Sequence, residues 1–370
     1  MIVVMTTSHT DAERTAVFDR LKELNLQGQA ITGIERSVIA VLGQVFPELR
    51  DELSTMDGVD EVLRVSKPYK LSSREVHEQD SVIGLQHGVQ VGGGRPVVMA
   101  GPCSIETEEQ LWESASGVQK AGAHILRGGA FKPRSSPYSF QGLGVEGLKM
   151  LAAAGSQLGM PVITELLSLR DVDACAQYSD VLQIGTRNMQ NFVLLSEAGK
   201  TGKAVMLKRG MGATIEEWLL AAEYILSEGN PNVMLCERGI RTFETATRNT
   251  MDLNAIALVK RLSHLPVISD PSHGTGHWYL VQPMSLASIA VGADGLMIEV
   301  HPNPDHALSD GAQSLTPANF QQLMDGVSSL GDAVGRPMTN EPTAIAGLDA
   351  DVAGLPVRRR RSREQHCSRP

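Results

Sequence analysis

The stretch VMLKRGMGATIEEWLLAAEYILSEGNPNVMLCERG (205–239) is one unit of a pattern that repeats along the chain. The apolar run Val205–Leu207 ends in Lys208. Thr214-Ile215-Glu216-Glu217 then opens a helix as a capping box, the Thr and the Glu three residues on answering each other's backbone N–H groups. Leu219, Ala222, Tyr224 and Ile225 predict that helix's buried face. Val233–Leu235 starts a second strand, followed by Glu237 and Arg238. Two strands joined by one crossover helix must run parallel, so their charged ends lie at the same edge of the sheet. Working outward, Val97–Ala100 runs into Cys103, His124–Leu126 into Arg127, Pro161–Ile163 into Glu165, and Val181–Ile184 into Arg187. Val267 and Ile268 lead to Asp270 and His273, and Leu296–Ile298 to Glu299. The spacing of roughly 20–40 residues leaves room for one helix per crossover. Eight such strands predict an α/β fold, a (β/α)8 (TIM) barrel over 96–336 with its site at the C-terminal strand ends, closed by a helix around Pro317–Val334.

Residues 1–70 follow a different rhythm. Ile2–Met5 reads as a strand, Asp11–Leu24 as a helix with an apolar stripe at Ala16, Val17, Leu21 and Leu24, and Ala30–Ile34 and Ser37–Leu42 as a hairpin around Glu35-Arg36. A helix from Pro47 through Leu53 and Met56 and a strand over Val59–Val65 complete βαββαβ, the order of a ferredoxin-like domain. Residues 71–95 form a connector in which Gly84–Gly94 predicts a small hairpin plugging one barrel end. Residues 337–370, with Arg358–Arg361 and Arg363, read as a disordered tail, with a basic interaction tail as the alternative.

Composition narrows the function classes. The 370 residues exceed one usual domain, and no apolar run approaches the ~20 residues of a membrane helix. A net charge of −9 and 4 % aromatic residues argue against nucleic acid as the partner. Four scattered cysteines and no basic segment before the first apolar run point to reducing cytoplasm rather than secretion.

Two constellations carry the chemistry. Cys103, His273, Glu299 and Asp310 form a thiolate, imidazole and carboxylate set at strands 1, 7 and 8 and the following loop, suited to a divalent Mn, Fe, Co or Zn ion rather than Ca or Mg. Cys236 is the competing thiol, better explained as a buried strand residue. Arg127, Lys132, Arg134, Arg187, Lys208 and Arg238 form a cationic set around one mouth, which predicts anionic ligands, and two rather than one. Ser135 and Ser136 add hydroxyls for phosphate oxygens.

AGPCSIE (100–106), LRGGAFKPRSSPYSFQGLG (126–144), QIGTRNMQNF (183–192), LKRGM (207–211), LCERGIRTFE (235–244), SDPSHGTG (269–276) and IEVHPNPDHALSDGAQSL (298–315) closely resemble the type I-beta 3-deoxy-D-arabino-heptulosonate 7-phosphate (DAHP) synthases, and KPYKLSSRE (67–75) resembles their linker. The resemblance spans about residues 1–335. It implies a transferase that condenses phosphoenolpyruvate with erythrose 4-phosphate, the first step of the shikimate pathway. It also implies the metal ligands Cys103, His273, Glu299 and Asp310, and a phosphoenolpyruvate grip of Arg127, Lys132, Arg187, Lys208 and Arg238. Arg134 and Ser135 would then bind the sugar phosphate, and Glu165 with Lys208 would hold and deprotonate the attacking water. The runner-up is 3-deoxy-D-manno-octulosonate 8-phosphate synthase, acting on arabinose 5-phosphate. Pro133-Arg134 argues against it, because that family carries Ala-Asn-Arg after the lysine. A barrel that only senses ligands would lack part of the site, and no part is missing. The resemblance further implies a homotetramer and a regulatory N-terminal domain that binds Tyr or Phe and closes over the mouth. A fused chorismate mutase is disfavoured because residues 1–70 lack its long helices.

Overall fold

The computed structural model describes residues 1–32, 37–43, 45, 46, 48–63, 67–132, 136 and 138–338. The N-terminal unit comprises β1 (Ile2–Met5), α1 (Asp11–Glu23), β2 (Gln27–Thr32), β3 (Ser37–Leu42), α2 (Leu49–Ser54) and β4 (Val59–Leu63). Its antiparallel sheet has the order β2-β3-β1-β4. The Glu35-Arg36 turn lies outside the described residues, and β2 begins earlier than the expected Ala30. Strand alternation gives this sheet two apolar faces. Val3, Met5, Ile39 and Val41 pack with Val17, Leu21, Leu49 and Leu53 of the two helices. Ile2, Val4 and Ala40 point the other way and join the apolar cluster of the barrel's helices.

A short hairpin, β5 (Ile83–Gly84) and β6 (Gln90–Val91), precedes the barrel. The barrel then runs β7 (Val97–Gly101), α3 (Glu108–Lys120), β8 (Ile125–Arg127), α4 (Val145–Leu158), β9 (Val162–Leu166), α5 (Val172–Tyr178), β10 (Val181–Ile184) and α6 (Phe192–Lys200). It continues through β11 (Ala204–Lys208), α7 (Ile215–Leu226), β12 (Val233–Glu237), α8 (Leu253–Leu262), β13 (Val267–Ser269), α9 (Pro271–Thr275), α10 (Trp278–Ala290), β14 (Gly295–Glu299) and α11 (Pro317–Ala333). Strands β7 to β14 are parallel and close on themselves through the β14–β7 pair.

The capping box at Thr214 forms as expected, Glu217 N donating to Thr214 Oγ1 at 3.1 Å. Leu219, Ala222 and Ile225 are buried, but Tyr224 is 40 % exposed, and its ring stacks on Phe192 at 4.3 Å instead of entering the core. No helix among the described residues is long and apolar enough to cross a membrane.

The strand period of two positions the site. Val97 and Met99, Ile125, Ile163, Val181, Ala204 and Met206, Met234 and Cys236, Ile268, and Met297 form one apolar cluster, capped by Ile83 and Val91 of the hairpin. These residues fill the barrel interior, as layered side chains do in this fold. The next residue of the same parity on successive strands is Arg127, Glu165, Gln183, Lys208, Arg238, Asp270 and Glu299. A polar layer therefore sits directly above an apolar one.

The ferredoxin-like unit meets the barrel at the opposite end. Gln29 Nε2 donates to the carbonyl of Leu226, the last residue of α7, at 3.1 Å. Lys70 Nζ donates to Val41 O at 2.6 Å, and the Glu223 carboxylate accepts from the Leu71 and Ser72 amides at 3.0 and 2.6 Å.

Candidate active site

The polar layer opens into a cavity of about 450 Å³ lined by Lys132, Glu165, Arg187, Lys208, Arg238, His273 and Asp310, among others. Arg127 and Glu299 lie buried in its wall, paired at 3.0 Å. Of the sequence-derived residues, Arg134 and Ser135 fall outside the described residues. All the others converge on this mouth.

Cys103 Sγ and carboxylate oxygens of Glu299 and Asp310 lie within 4.8 Å of one another. His273, on the short helix α9, brings Nε2 to 3.5 Å from Glu299 Oε1 and 3.9 Å from Asp310 Oδ2. Its Nδ1 lies 2.8 Å from Asp270 Oδ2 but off the line of a good hydrogen bond, which leaves that buried ring nitrogen without one. Burial, then the Glu299 charge, pushes the Cys103 thiol up to about 12, against the pull of Lys132. Burial opposes the ionisation of Asp310, yet His273 and Arg248 hold it down at about 2. A thiolate and two carboxylates packed this closely repel one another, and a divalent cation, which the neutral imidazole can also ligate, relieves that repulsion. The residues fit a borderline transition-metal ion. Cys236 does not compete, because it lies in the apolar layer with its Sγ 3.8 Å from the carbonyl of Glu237.

The cations are interlocked with these acids. Arg127 Nη1 donates to Glu299 Oε1 and to the Pro102 carbonyl, at 3.0 and 2.9 Å. Lys132 Nζ donates to Cys103 Sγ and O, both at 3.0 Å. Lys208 Nζ donates to Asp270 Oδ2 at 2.5 Å. Burial lowers the Arg238 guanidinium, partly offset by Asp270. Arg187 sits exposed in the turn Thr186–Asn188 and overhangs the cavity. Glu165 faces the cavity across Gly185, where an added Cβ would lie 2.0 Å from Glu165 Oε1. That glycine keeps the carboxylate's place clear.

Several residues of the mouth were not anticipated as functional. In the sequence Asp270 stands out only as a strand-end residue, although its parity with Cys236 and Arg238 in neighbouring strands marks it as inward-facing. The same parity marks Gln183, which lines the cavity. Arg248 donates to Asp310 Oδ1 and Gln313 Oε1 at 3.1 and 2.7 Å, and Gln313 Nε2 donates to Glu299 Oε2 at 2.7 Å. Asn249 Nδ2 donates to the His273 carbonyl at 3.0 Å. Arg248, Asn249 and Gln313 belong to loops, where no periodicity marks them.

Comparison with known proteins agrees with this construction. Residues 76–334 match the DAHP synthetase I family, and residues 1–67 the DAHP synthase ferredoxin-like domain. The phospho-2-dehydro-3-deoxyheptonate aldolase of Thermotoga maritima is 49 % identical over 335 residues, 90 % of this chain and 99 % of that protein. A crystal structure of the Thermotoga maritima enzyme, titled a DAHP synthase, superposes with a TM-score of 0.73 at 48 % identity, covering 91 % of this chain and 98 % of that one. The 2-dehydro-3-deoxyphosphooctonate aldolase of Syntrophotalea carbinolica is more distant, 34 % identical over 246 residues, 61 % of this chain and 88 % of that protein. The chain belongs to the DAHP synthetase I family and carries that family's ferredoxin-like domain at its N-terminus.

Proposed function

We propose that the mouth condenses phosphoenolpyruvate with erythrose 4-phosphate to DAHP and phosphate, the entry to aromatic amino acid biosynthesis. The observation that carries this reading is the convergence of a four-donor metal set and a ring of cations on one cavity. Cys103, His273, Glu299 and Asp310 would hold the metal, with Mn, Fe, Co and Zn as candidates. When bound, such an ion supplies Lewis acidity toward the aldehyde oxygen of the sugar phosphate.

The chain's own residues do the rest. Lys132, Arg187, Lys208 and Arg238, with Arg127 behind them, would hold the carboxylate and phosphate of phosphoenolpyruvate by charge-assisted hydrogen bonds. Held there, its C3 attacks the aldehyde carbon, and the C=C pair forms the new C–C bond. Water adds to C2, and the C2–O bond to phosphorus-bearing oxygen later breaks to release phosphate. Glu165 faces the same cavity as a carboxylate and would take the proton of that water. Lys208 would orient it and steady the developing charge, with no Schiff base required. Arg134 and Ser135 are assigned to the sugar phosphate on the resemblance alone.

The ferredoxin-like domain would serve regulation, binding Tyr or Phe in a homotetramer. Its barrel contacts lie at the end of α7 remote from the mouth. Closure would therefore require it to leave those contacts or to reach the mouth of another copy.

The test uses metal-stripped protein given phosphoenolpyruvate and either erythrose 4-phosphate or arabinose 5-phosphate, with single metals restored and phosphate release followed. Release with erythrose 4-phosphate is expected. Release with arabinose 5-phosphate alone overturns the reading.

A further inference from the structure

Asp270 joins the two halves of the mouth through one oxygen atom. It is fully buried, directly after β13, on the same inward parity as Lys208 of β11. Its Oδ1 accepts from the His273 backbone amide at 2.9 Å and caps α9. That cap needs only one acceptor, and Asn or Ser supplies it equally well. Oδ2 does something else. It accepts from Lys208 Nζ at 2.5 Å and lies 2.8 Å from His273 Nδ1. A cationic residue of the anion pocket and a member of the metal set thus share one carboxylate oxygen.

We propose that Asp270 is a positioning residue that couples the two binding events, so that a divalent cation on His273 and an anion on Lys208 each tighten the binding of the other. The inference rests on the reading of His273 as a metal ligand and of Lys208 as an anion contact. A cation on the far nitrogen of the ring draws electron density from it and makes the Nδ1 edge, 2.8 Å from Oδ2, more positive. That edge then holds the oxygen's charge more strongly even without a well-aligned hydrogen bond. Oδ2 then has less charge to offer Lys208, whose ammonium faces the cavity with less of its field cancelled. In reverse, an anion that draws Lys208 away leaves Oδ2 to His273, orients the ring and strengthens it as a ligand. Linkage requires the two effects to be equal in size, and couplings of this kind run from about 5- to 150-fold. With one shared contact of this length on each side, we expect about tenfold.

The experiment titrates metal-stripped full-length protein with Mn(II) or Co(II), with and without saturating phosphoenolpyruvate, by calorimetry. The reverse titration is run alongside, and the coupling factor in each direction is the ratio of the dissociation constants without and with the other ligand. Wild type should show the same factor of about ten in both directions. Asp270→Asn and Asp270→Ser both retain the cap, so circular dichroism should report a folded barrel, with a lower melting temperature from the unpaired Lys208, while the factor falls to near one. A merely structural role would weaken each ligand and leave the factor unchanged. No coupling in the wild type, or undiminished coupling in both variants, overturns the proposal. The second result would point to direct contact between the ion and the anion. Should phosphoenolpyruvate fail to bind, the substrate assignment fails on its own. The coupling is then read with sulfate against Co(II), since it concerns the anion on Lys208 whatever molecule carries it.

Discussion

Replacing Gly185 by Ala is the sharpest probe of Glu165. Gly185 has φ −69° and ψ 158°, a conformation any residue adopts, so the substitution introduces no backbone strain. Its effect comes from space. The new Cβ would fall 2.0 Å from Glu165 Oε1 and 3.1 Å from Cδ, where real contacts stay beyond 3.0 Å. Oε1 must therefore retreat by about 1 Å at least, and a misplacement of that size at a reacting group costs about 10²-fold. Turnover should fall about a hundredfold, about 2.7 kcal/mol in barrier height. The affinity for phosphoenolpyruvate should stay within about threefold, because the cations that bind anions are untouched. Stability should hold, since Ala at a compatible site restricts the unfolded chain by about 0.4–1 kcal/mol and offsets part of the crowding. Phosphate release gives kcat, and the double variant with Glu165→Gln closes the cycle. If both substitutions act through the same carboxylate, the double variant should be no slower than Glu165→Gln alone. A Gly185→Ala enzyme within about threefold of wild type, or losses that multiply in the double variant, would refute the role given to Glu165.

Three further outcomes are expected. Arg209 Nη1 pairs with Glu237 Oε2 at 3.0 Å and Asp252 Oδ2 at 2.9 Å, and Arg209→Ala strands a buried carboxylate. It should lower stability by about 3–5 kcal/mol in a denaturant titration, with part of the loss recovered by adding Glu237→Gln. His264 is held neutral by burial, with its pKa pushed down to about 4 from 6.5, while Nε2 meets Leu71 O at 2.7 Å and Nδ1 meets Ser81 Oγ at 2.7 Å. The unfolded chain binds more protons there between those values. The stabilisation is therefore complete above about pH 6.5 and fades toward pH 4, amounting to about 3 kcal/mol at most. Melting curves over that window should be steeper for wild type than for His264→Asn, and parallel curves would count against it. Removing residues 1–70 should preserve turnover and abolish inhibition by Tyr or Phe, and inhibition that survives in the shortened enzyme would place the effector elsewhere.

The barrel was legible because parallel strands buried on both faces must be apolar runs, and each run here stops where the interior meets solvent. Val181–Ile184 was located to the residue, whereas the run read as Pro161–Ile163 extends through Glu165 to Leu166. A polar residue facing the mouth breaks the apolar signal without ending the strand. Tyr224 departs from its helical pattern for a related reason. Helical spacing places it beside the buried stripe, but a ring on Phe192 gives it an alternative to the core. The residues that brace the metal set were least legible, since Arg248 and Gln313 reach the site through loops whose shape depends on tertiary contacts.

The separation into metal residues and anion residues, natural in a linear sequence, dissolves in three dimensions. Arg127 pairs with Glu299, Lys132 with Cys103, and Lys208 reaches His273 through Asp270. Buried charges are tolerated only when paired, so each set supplies the counter-charges that let the other be buried. A mouth built from the cations alone would repel itself, and one built from the acids alone would hold on to the protons that metal ligands must give up. Substitution of a residue in one set should therefore disturb the ligand of the other. Lys132→Met, for instance, should weaken metal binding through Cys103 as well as anion binding. A metal affinity unchanged in that variant would show that the pairing is incidental.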